Sequence, residues 1–194
     1  GVGVGCVKPG TTYNYLGSSS WVALTVKQPI VDEQMRTMNW AHCVPGYLHP
    51  SGSVQTAGSS LHWLKETICT SECAEAAARG LSAYQLIDAA IAKSPPGANG
   101  ILFLPYMLGE RTPWWNPNAR GAFIGMNLGT RREDLLRAVM EGVTLNLGII
   151  VNLFRQHVPI ASITVIGGGA RSAVWRQMMA DIYDCRIESL QFLE

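Results

Sequence analysis

The sequence predicts an α/β domain, and three stretches carry that prediction. Ile163, Val165 and Ile166 form a short β-branched run that reads as a buried strand. Gly167, Gly168 and Gly169 follow it, and then a helix in which Val174, Met178 and Ile182 recur every four residues along one face. Residues 11–17 and 21–27 are rich in aromatic and β-branched side chains and are joined by Ser18, Ser19 and Ser20, which predicts a β-hairpin with a polar tip. Thr130 and Glu133 form a capping box that opens a long helix to about Gln156, with Leu135, Val139, Val143 and Leu147 on its apolar face.

The intervening elements follow from the same reasoning. Residues 1–7 alternate glycine and valine, consistent with either a strand or the small-residue face of a packed helix. Residues 38–43 read as an edge strand and residues 45–52 as a loop, because Pro45, Gly46, Pro50 and Gly52 interrupt any regular pattern. Leu61, Leu64 and Ile68 recur at helical spacing, with Gly58 just before the helix and Ser59 or Ser60 as its cap. Ser82 and Gln85 form a capping box for a helix over 83–93, buried through Leu86, Ile87, Ala90 and Ile91. Residues 101–105 are a buried strand running into a long loop that carries Glu110, Arg111, Trp114 and Trp115. A buried charge pair at such a turn is expected to pair internally or to meet a ligand. Residues 121–126 and 186–190 complete the strands, and Gly142 and Gly148 thin the long helix where a neighbour packs closely.

Composition narrows the function classes. With 194 residues, 47% of them hydrophobic, the chain is large enough for a well-filled core. A formal net charge of +1 and the absence of a Lys/Arg block beyond Arg131–Arg132 argue against nucleic acid as a partner. The most apolar run, residues 101–108, is broken by Pro105 and too short to span a bilayer, so no membrane association is expected. No signal peptide is apparent, and Cys6, Cys43, Cys69, Cys73 and Cys185 are scattered and odd in number, which fits reduced thiols in a cytoplasmic protein. His42 and His49 lack partners at catalytic spacing and read as structural. A start at Gly1 without Met and a stop just after a strand suggest one domain of a longer protein.

Three glycine-bearing turns are candidate anion sites. A strand, a glycine turn and a helix N-terminus present backbone N–H groups that a nucleotide can approach closely. The turn at 167–169 has this form, Gly58 stands at a second helix start, and the Leu16–Gly17–Ser18–Ser19–Ser20 tip adds hydroxyls. A plain strand-to-helix turn and a serine-rich hairpin without a ligand are the alternatives at this level. The spacing G-x-G-x-x-G is absent, which argues against a dinucleotide fold.

Longer stretches carry a resemblance. GAFIGMNLGTRREDLLRAVME, residues 121–141, resembles the second signature of the FGGY carbohydrate kinases, including Gly121, Phe123, Gly125, Asp134, Leu135, Ala138 and Glu141. LPYMLGERTPWWNP and IGGGARSAVWRQMMADI are similar to the xylulokinase branch of that family. The resemblance covers essentially the whole chain. It implies the C-terminal ATP-binding lobe of an actin-like ATPase, an RNase H-type α/β fold whose mixed sheet is flanked by helices, with the N-terminal sugar-binding domain outside the chain. In that family residues 1–7 correspond to the tail of a helix.

The resemblance also implies a reaction and a site. The family transfers the γ-phosphate of ATP, with Mg2+, to a sugar hydroxyl, and the resemblance to the xylulokinase branch implies D-xylulose, giving D-xylulose 5-phosphate. By resemblance Gly17, Ser18 and Ser19 cradle the β/γ-phosphates, although Ser20 stands where the family's G-T-S-G tip has glycine. Gly58 and His62 correspond to a phosphate-facing helix start, with glutamine in the place of His62 in some relatives. Gly168, Gly169, Ala170, Ser172 and Ala173 correspond to the adenosine pocket, and Ala173 stands near an asparagine that holds adenine in one relative. The family's general base is an aspartate in a glycine-rich motif, expected a few residues before Gly1, so no catalytic residue is assigned within the chain and the isolated chain is expected to be inactive. Kinases for gluconate, ribulose and other polyols share these signatures. A non-catalytic actin-like module lacks the 121–141 signature, and a Rossmann dehydrogenase requires a glycine spacing that is missing. The long helix and the Trp114–Trp115 loop are candidate surfaces for a homodimer.

Overall fold

A computed structural model describes residues 1–190. Its centre is a six-stranded mixed sheet in the spatial order β3 (Met38–Ala41), β4 (Leu48–Val54), β2 (Ser20–Leu24), β1 (Thr12–Leu16), β7 (Ser162–Ile166), β8 (Arg186–Ser189). The first four in that order pair antiparallel and the last three pair parallel, so β1 is where the sheet changes sense. The predicted hairpin is β1–β2, in the register Thr12 opposite Leu24 and Leu16 opposite Ser20. A separate two-stranded ribbon pairs β5 (Leu102–Leu104) with β6 (Ala122–Ile124).

The long helix α4 (Arg132–Arg155) runs through the interior rather than across the surface. Leu136, Val139, Met140, Val143, Leu147, Ile150, Val151 and Phe154 are all fully buried, so the helix offers no broad face for a dimer and that expectation is corrected. Its glycines have clear partners. A Cβ at Gly142 would lie 2.1 Å from the Phe103 carbonyl oxygen, so only glycine admits β5 at that distance. Among the described residues four shorter α-helices accompany it: α1 (Gly58–Thr67), α2 (Thr70–Arg79), α3 (Ala83–Ile91) and α5 (Ala173–Tyr183).

Most of the 121–141 signature is architectural. Asp134 Oδ1 accepts from Ser94 Oγ at 2.6 Å and from Asn99 Nδ2 at 2.9 Å, while Oδ2 accepts from the Arg131 amide at 2.9 Å. Glu141 Oε1 accepts from the Gly97 amide at 3.1 Å and pairs with Arg137 Nε at 2.5 Å, and Arg137 reaches the Ser94 carbonyl at 2.9 Å. These carboxylates fasten the turn after α3 to α4. Gly125, at φ +90°, lies against the Gly100 carbonyl, and Phe123 tilts against Phe103 at 4.9 Å.

Four local expectations are corrected. Residues 1–7 form a single 3-10 turn, Val2–Val4, rather than a strand or helix tail. Residues 48–54 form β4 despite Pro50 and Gly52: the strand sits between β3 and β2, and Gly52 leaves room for Ile150 of α4. The α4 cap falls one residue later than expected, through Asp134 and the Arg131 amide, and Thr130 Oγ1 instead accepts from the Asn127 amide. Glu110 is buried while Arg111 is exposed, and the carboxylate accepts the backbone amides of Arg111 and Gln55 rather than pairing with the guanidinium. The Ser82–Gln85 box is present as predicted. His42 and His49 do structural work, meeting the Cys6 carbonyl at 2.9 Å and the Tyr13 hydroxyl at 3.2 Å.

Candidate functional site

The β1–β2 tip is fastened from below before it meets anything else. Buried Asn14 on β1 directs its Nδ2 at the Tyr15 carbonyl (3.1 Å), Ser20 Oγ (2.8 Å) and the Trp21 carbonyl (2.9 Å), bridging both strands at their turn. Tyr183 of α5 donates to Asn14 Oδ1 at 3.4 Å. The tip is therefore a fixed part rather than a loose loop.

Helix α1 caps the hairpin, and this changes which donors are available. Its orphan N-terminal amides turn to the tip: Gly58 N donates to Gly17 O at 2.8 Å, Ser59 N to Ser18 O at 3.0 Å, and Ala57 N to Ser18 O at 2.9 Å. Ser59 Oγ also donates to Ser18 O at 2.9 Å, and Ser60 Oγ to Thr56 O, so neither serine caps the helix and Ala57 takes the N-cap position. Gly58 is required because a Cβ would stand 2.4 Å from Gly17 O. The expectation that the Gly58 amide offers itself to an anion is thus corrected. The Ser18, Ser19, Gly168 and Gly169 amides have no hydrogen-bond partner among the described residues.

The glycine turn packs on the same hairpin from the other side. After β7 the chain makes a 3-10 turn, Gly168–Arg171, before α5. Gly167, at φ +92°, would bring a Cβ within 2.6 Å of Leu16 O, and Gly169 would bring one within 2.4 Å of Leu16 Cδ2. Gly168 is different, because a Cβ there meets nothing within 4 Å. Ser172 caps α5, its Oγ accepting from the Trp175 amide at 3.0 Å.

Between hairpin, α1, α3 and this turn lies a cleft of about 700 Å³, within the range that holds a small organic ligand. Gly17, Ser18, Gly58, His62, Gly168, Gly169 and Ser172 all line it. Ser19, Ala170 and Ala173 do not: Ala170 is fully buried beneath the turn, and Ala173 is exposed on the first turn of α5. The wall contributed by α3, with Ser82, Tyr84, Gln85 and Asp88, was read from the sequence only as a capped helix. Arg171 and Trp175 also line the cleft and were not singled out. The charged Arg171 directly after a glycine turn is the signal that sequence reasoning had available.

Asp88 is the one carboxylate among the described cleft residues. Burial raises its pKa, opposed by a hydrogen bond from the Ser172 hydroxyl and by the charge of Arg176. Ser172 Oγ accepts from the Trp175 amide at 3.0 Å and lines the cleft beside Asp88. Among the described residues no group of three or more His, Cys, Asp or Glu side chains is placed to hold a metal ion, and no helix is long and apolar enough to cross a membrane.

Residues 12–194 match the model of the FGGY family of carbohydrate kinases, C-terminal domain. The chain is 34% identical over 192 residues to the gluconokinase of Bacillus subtilis (strain 168), covering 96% of this chain and 36% of that protein. It is 35% identical over 195 residues to a xylulose kinase of Staphylococcus epidermidis, covering 100% of this chain and 37% of that one. The solved xylulose kinase from Rhodospirillum rubrum superposes with a TM-score of 0.82 at 30% identity, over 96% of this chain and 36% of that chain. The chain therefore spans about a third of the length of the curated relatives it matches. The mixed sheet with flanking helices is the actin-like fold of these kinases, and the chain belongs to the FGGY family of carbohydrate kinases, matching its C-terminal domain.

Proposed function

We propose that this chain is the nucleotide-binding lobe of a sugar kinase, which transfers the γ-phosphate of ATP to a sugar hydroxyl. The observation that carries the reading is that the unpaired amides of Ser18 on the hairpin tip and of Gly168 and Gly169 in the turn after β7 belong to residues lining one cleft. Fixed amide dipoles of this kind stabilise the charge of a transferring phosphoryl group, which is most of what phosphoryl transfer asks of a protein. Asn14 and the α1 amides hold the tip in place, and the packing of Gly167 and Gly169 on Leu16 holds the turn.

Magnesium enters this reading as the companion of the triphosphate. Mg2+ keeps several waters and is bound largely by substrate phosphates. The general base and most of the sugar site belong to the N-terminal domain, the base on an aspartate preceding Gly1, and the isolated chain is inactive as a kinase. Localisation in the cytoplasm is part of the same reading.

Xylulose is the proposed substrate, giving xylulose 5-phosphate, on the strength of the 104–117 and 166–182 stretches and of the xylulose kinases among the relatives. Gluconate is the second reading, favoured by the 34% identity to a gluconokinase. Full-length protein assayed with ATP against xylulose, gluconate, ribulose and glycerol decides between them. The highest kcat/KM is expected on xylulose, a maximum on gluconate moves the assignment, and no sugar phosphate from any member overturns the kinase reading. Changing both Ser18 and Ser19 to Ala in the full-length protein should lower turnover, and unchanged kinetics would leave the tip's backbone amides, without its hydroxyls, as the phosphate contacts.

A further inference from the structure

We propose that Asp88 reads the sugar half of the nucleotide by accepting hydrogen bonds from the ribose 2′- and 3′-hydroxyls, so that the cleft prefers ribonucleotides to deoxyribonucleotides. The inference rests on the reading that ATP occupies this cleft.

The chemistry of the cleft walls is unequal. The hairpin tip and the glycine turn contribute the Ser18, Gly168 and Gly169 amides, which have no hydrogen-bond partner among the described residues, whereas α3 contributes the carboxylate of Asp88. Gln85 directs its Oε1 at the Ser82 amide at 3.2 Å, closing the start of α3, and Asp88 lies one helical turn further along the same wall. A carboxylate and a triphosphate repel, so the phosphates belong at the amide-lined side and the nucleoside at the Asp88 side.

The second observation is where Asp88 sits. It lines the cleft together with Ser172, whose Oγ accepts from the Trp175 amide at 3.0 Å. Its two carboxylate oxygens accept about four hydrogen bonds, which gives it capacity for donors on a ligand. Arg176, whose guanidinium is tied to the Ala170 carbonyl, adds nearby positive charge that favours the ionised form. Half-burial strengthens whatever hydrogen bond the carboxylate then accepts.

An ionised carboxylate accepts only, and that selects the ligand group. Each edge of adenine alternates donor with acceptor, which suits an amide side chain rather than a carboxylate. The vicinal diol of ribose offers two donors side by side. Guanine, with adjacent N–H donors, is the competing match and becomes an outcome of the test.

Calorimetry on the full-length protein with ATP, 2′-deoxyATP, 3′-deoxyATP and GTP separates these cases. The parent should bind either deoxynucleotide about tenfold or more weakly than ATP, the scale of one hydrogen bond to a charged group. Asp88→Ala should bind all three adenine nucleotides within about twofold of one another, on the same scale. Asp88→Asn, which keeps shape and one acceptor, should retain part of the preference. Persistence of the parent's ribose preference in Asp88→Ala overturns the inference, as does a change confined to the ATP-to-GTP ratio. Gly168→Leu tests the underlying reading separately, because Gly168 lines the cleft and a Cβ there meets nothing within 4 Å. If that variant binds ATP like the parent, the nucleotide sits elsewhere and both readings fall. If it weakens ATP while Asp88→Ala keeps ribose selectivity, only the role of Asp88 is lost.

Discussion

The Gly58 amide donates to the Gly17 carbonyl at 2.8 Å, and a Cβ on Gly58 would lie 2.4 Å from that same oxygen. Helix capping and glycine packing are thus a single contact here. Gly58→Ala should push the first turn of α1 off the hairpin tip, releasing the Ser59 and Ala57 bonds to Ser18 as well. A loss of about 1–3 kcal/mol in denaturant unfolding is expected, together with weaker ATP binding by the full-length protein. Gly168→Ala is the matched control, since nothing lies within 4 Å of its Cβ, and its stability should stay within about 0.5 kcal/mol of the parent. Equal stability of the two variants would remove α1 as the brace of the tip.

The two glycines of α4 should behave in opposite ways. At Gly142 the Phe103 carbonyl stands 2.1 Å from a built Cβ, and backbone cannot swing aside as a flexible side chain can. Gly142→Ala should cost about 2 kcal/mol or more and loosen β5 from the helix. At Gly148 the nearest atom is Ile182 Cγ2 at 3.4 Å, an ordinary contact, so alanine gains helix propensity without a clash. Gly148→Ala should be neutral or stabilise by up to about 1 kcal/mol. Thermal unfolding of the pair checks this, and equal losses for both would refute the packing argument.

What the sequence discloses and what it hides divide along physical lines. The hairpin, the 167–169 turn, α4 and α5 announce themselves because their signals are local: β-branched runs, adjacent glycines and a four-residue apolar repeat. Strand β4 is hidden because Pro50 and Gly52 are acceptable only through tertiary context, one beside β3 and the other beneath Ile150. The cleft was legible on its glycine side and invisible on its α3 side, since Tyr84 and Asp88 carry no motif, Gln85 reads only as part of a helix cap, and all three are brought there by the fold. The donor assignment at Gly58 misled for a related reason. A helix N-terminus advertises free amides, and only the coordinates reveal that hairpin carbonyls already accept them.

Asp134 should be worth more to the fold than a surface carboxylate at a helix start. It accepts from Ser94 Oγ, Asn99 Nδ2 and the Arg131 amide, and those bonds hold its pKa below the ordinary carboxylate value of 3.8. Removing it strands these donors where the turn after α3 meets α4. Asp134→Ala should cost roughly 2–4 kcal/mol in urea or guanidinium unfolding. Because the folded-state pKa is depressed, the contribution is present above the unfolded value and disappears as the pH falls through the folded one. A variant as stable as the parent at pH 7 would show that the turn is held by Glu141 and Arg137 alone.

Glu110 should shape stability in the opposite direction. Burial pushes its pKa from 4.5 up to about 7, and the amide bonds from Arg111 and Gln55 only partly offset that. The folded protein therefore binds a proton more tightly than the unfolded chain, so the associated stability is fully present below about pH 4.5 and is lost as the pH rises through about 7. The displacement corresponds to roughly 3 kcal/mol. Glu110→Gln keeps an oxygen for the two amides and cannot ionise, so it should flatten the stability profile between about pH 5 and 8 and exceed the parent at the alkaline end. Chemical denaturation of both proteins across that range is the measurement. Parallel profiles would mean that the carboxylate reaches water and that the loop after β5 opens more readily than its buried position implies.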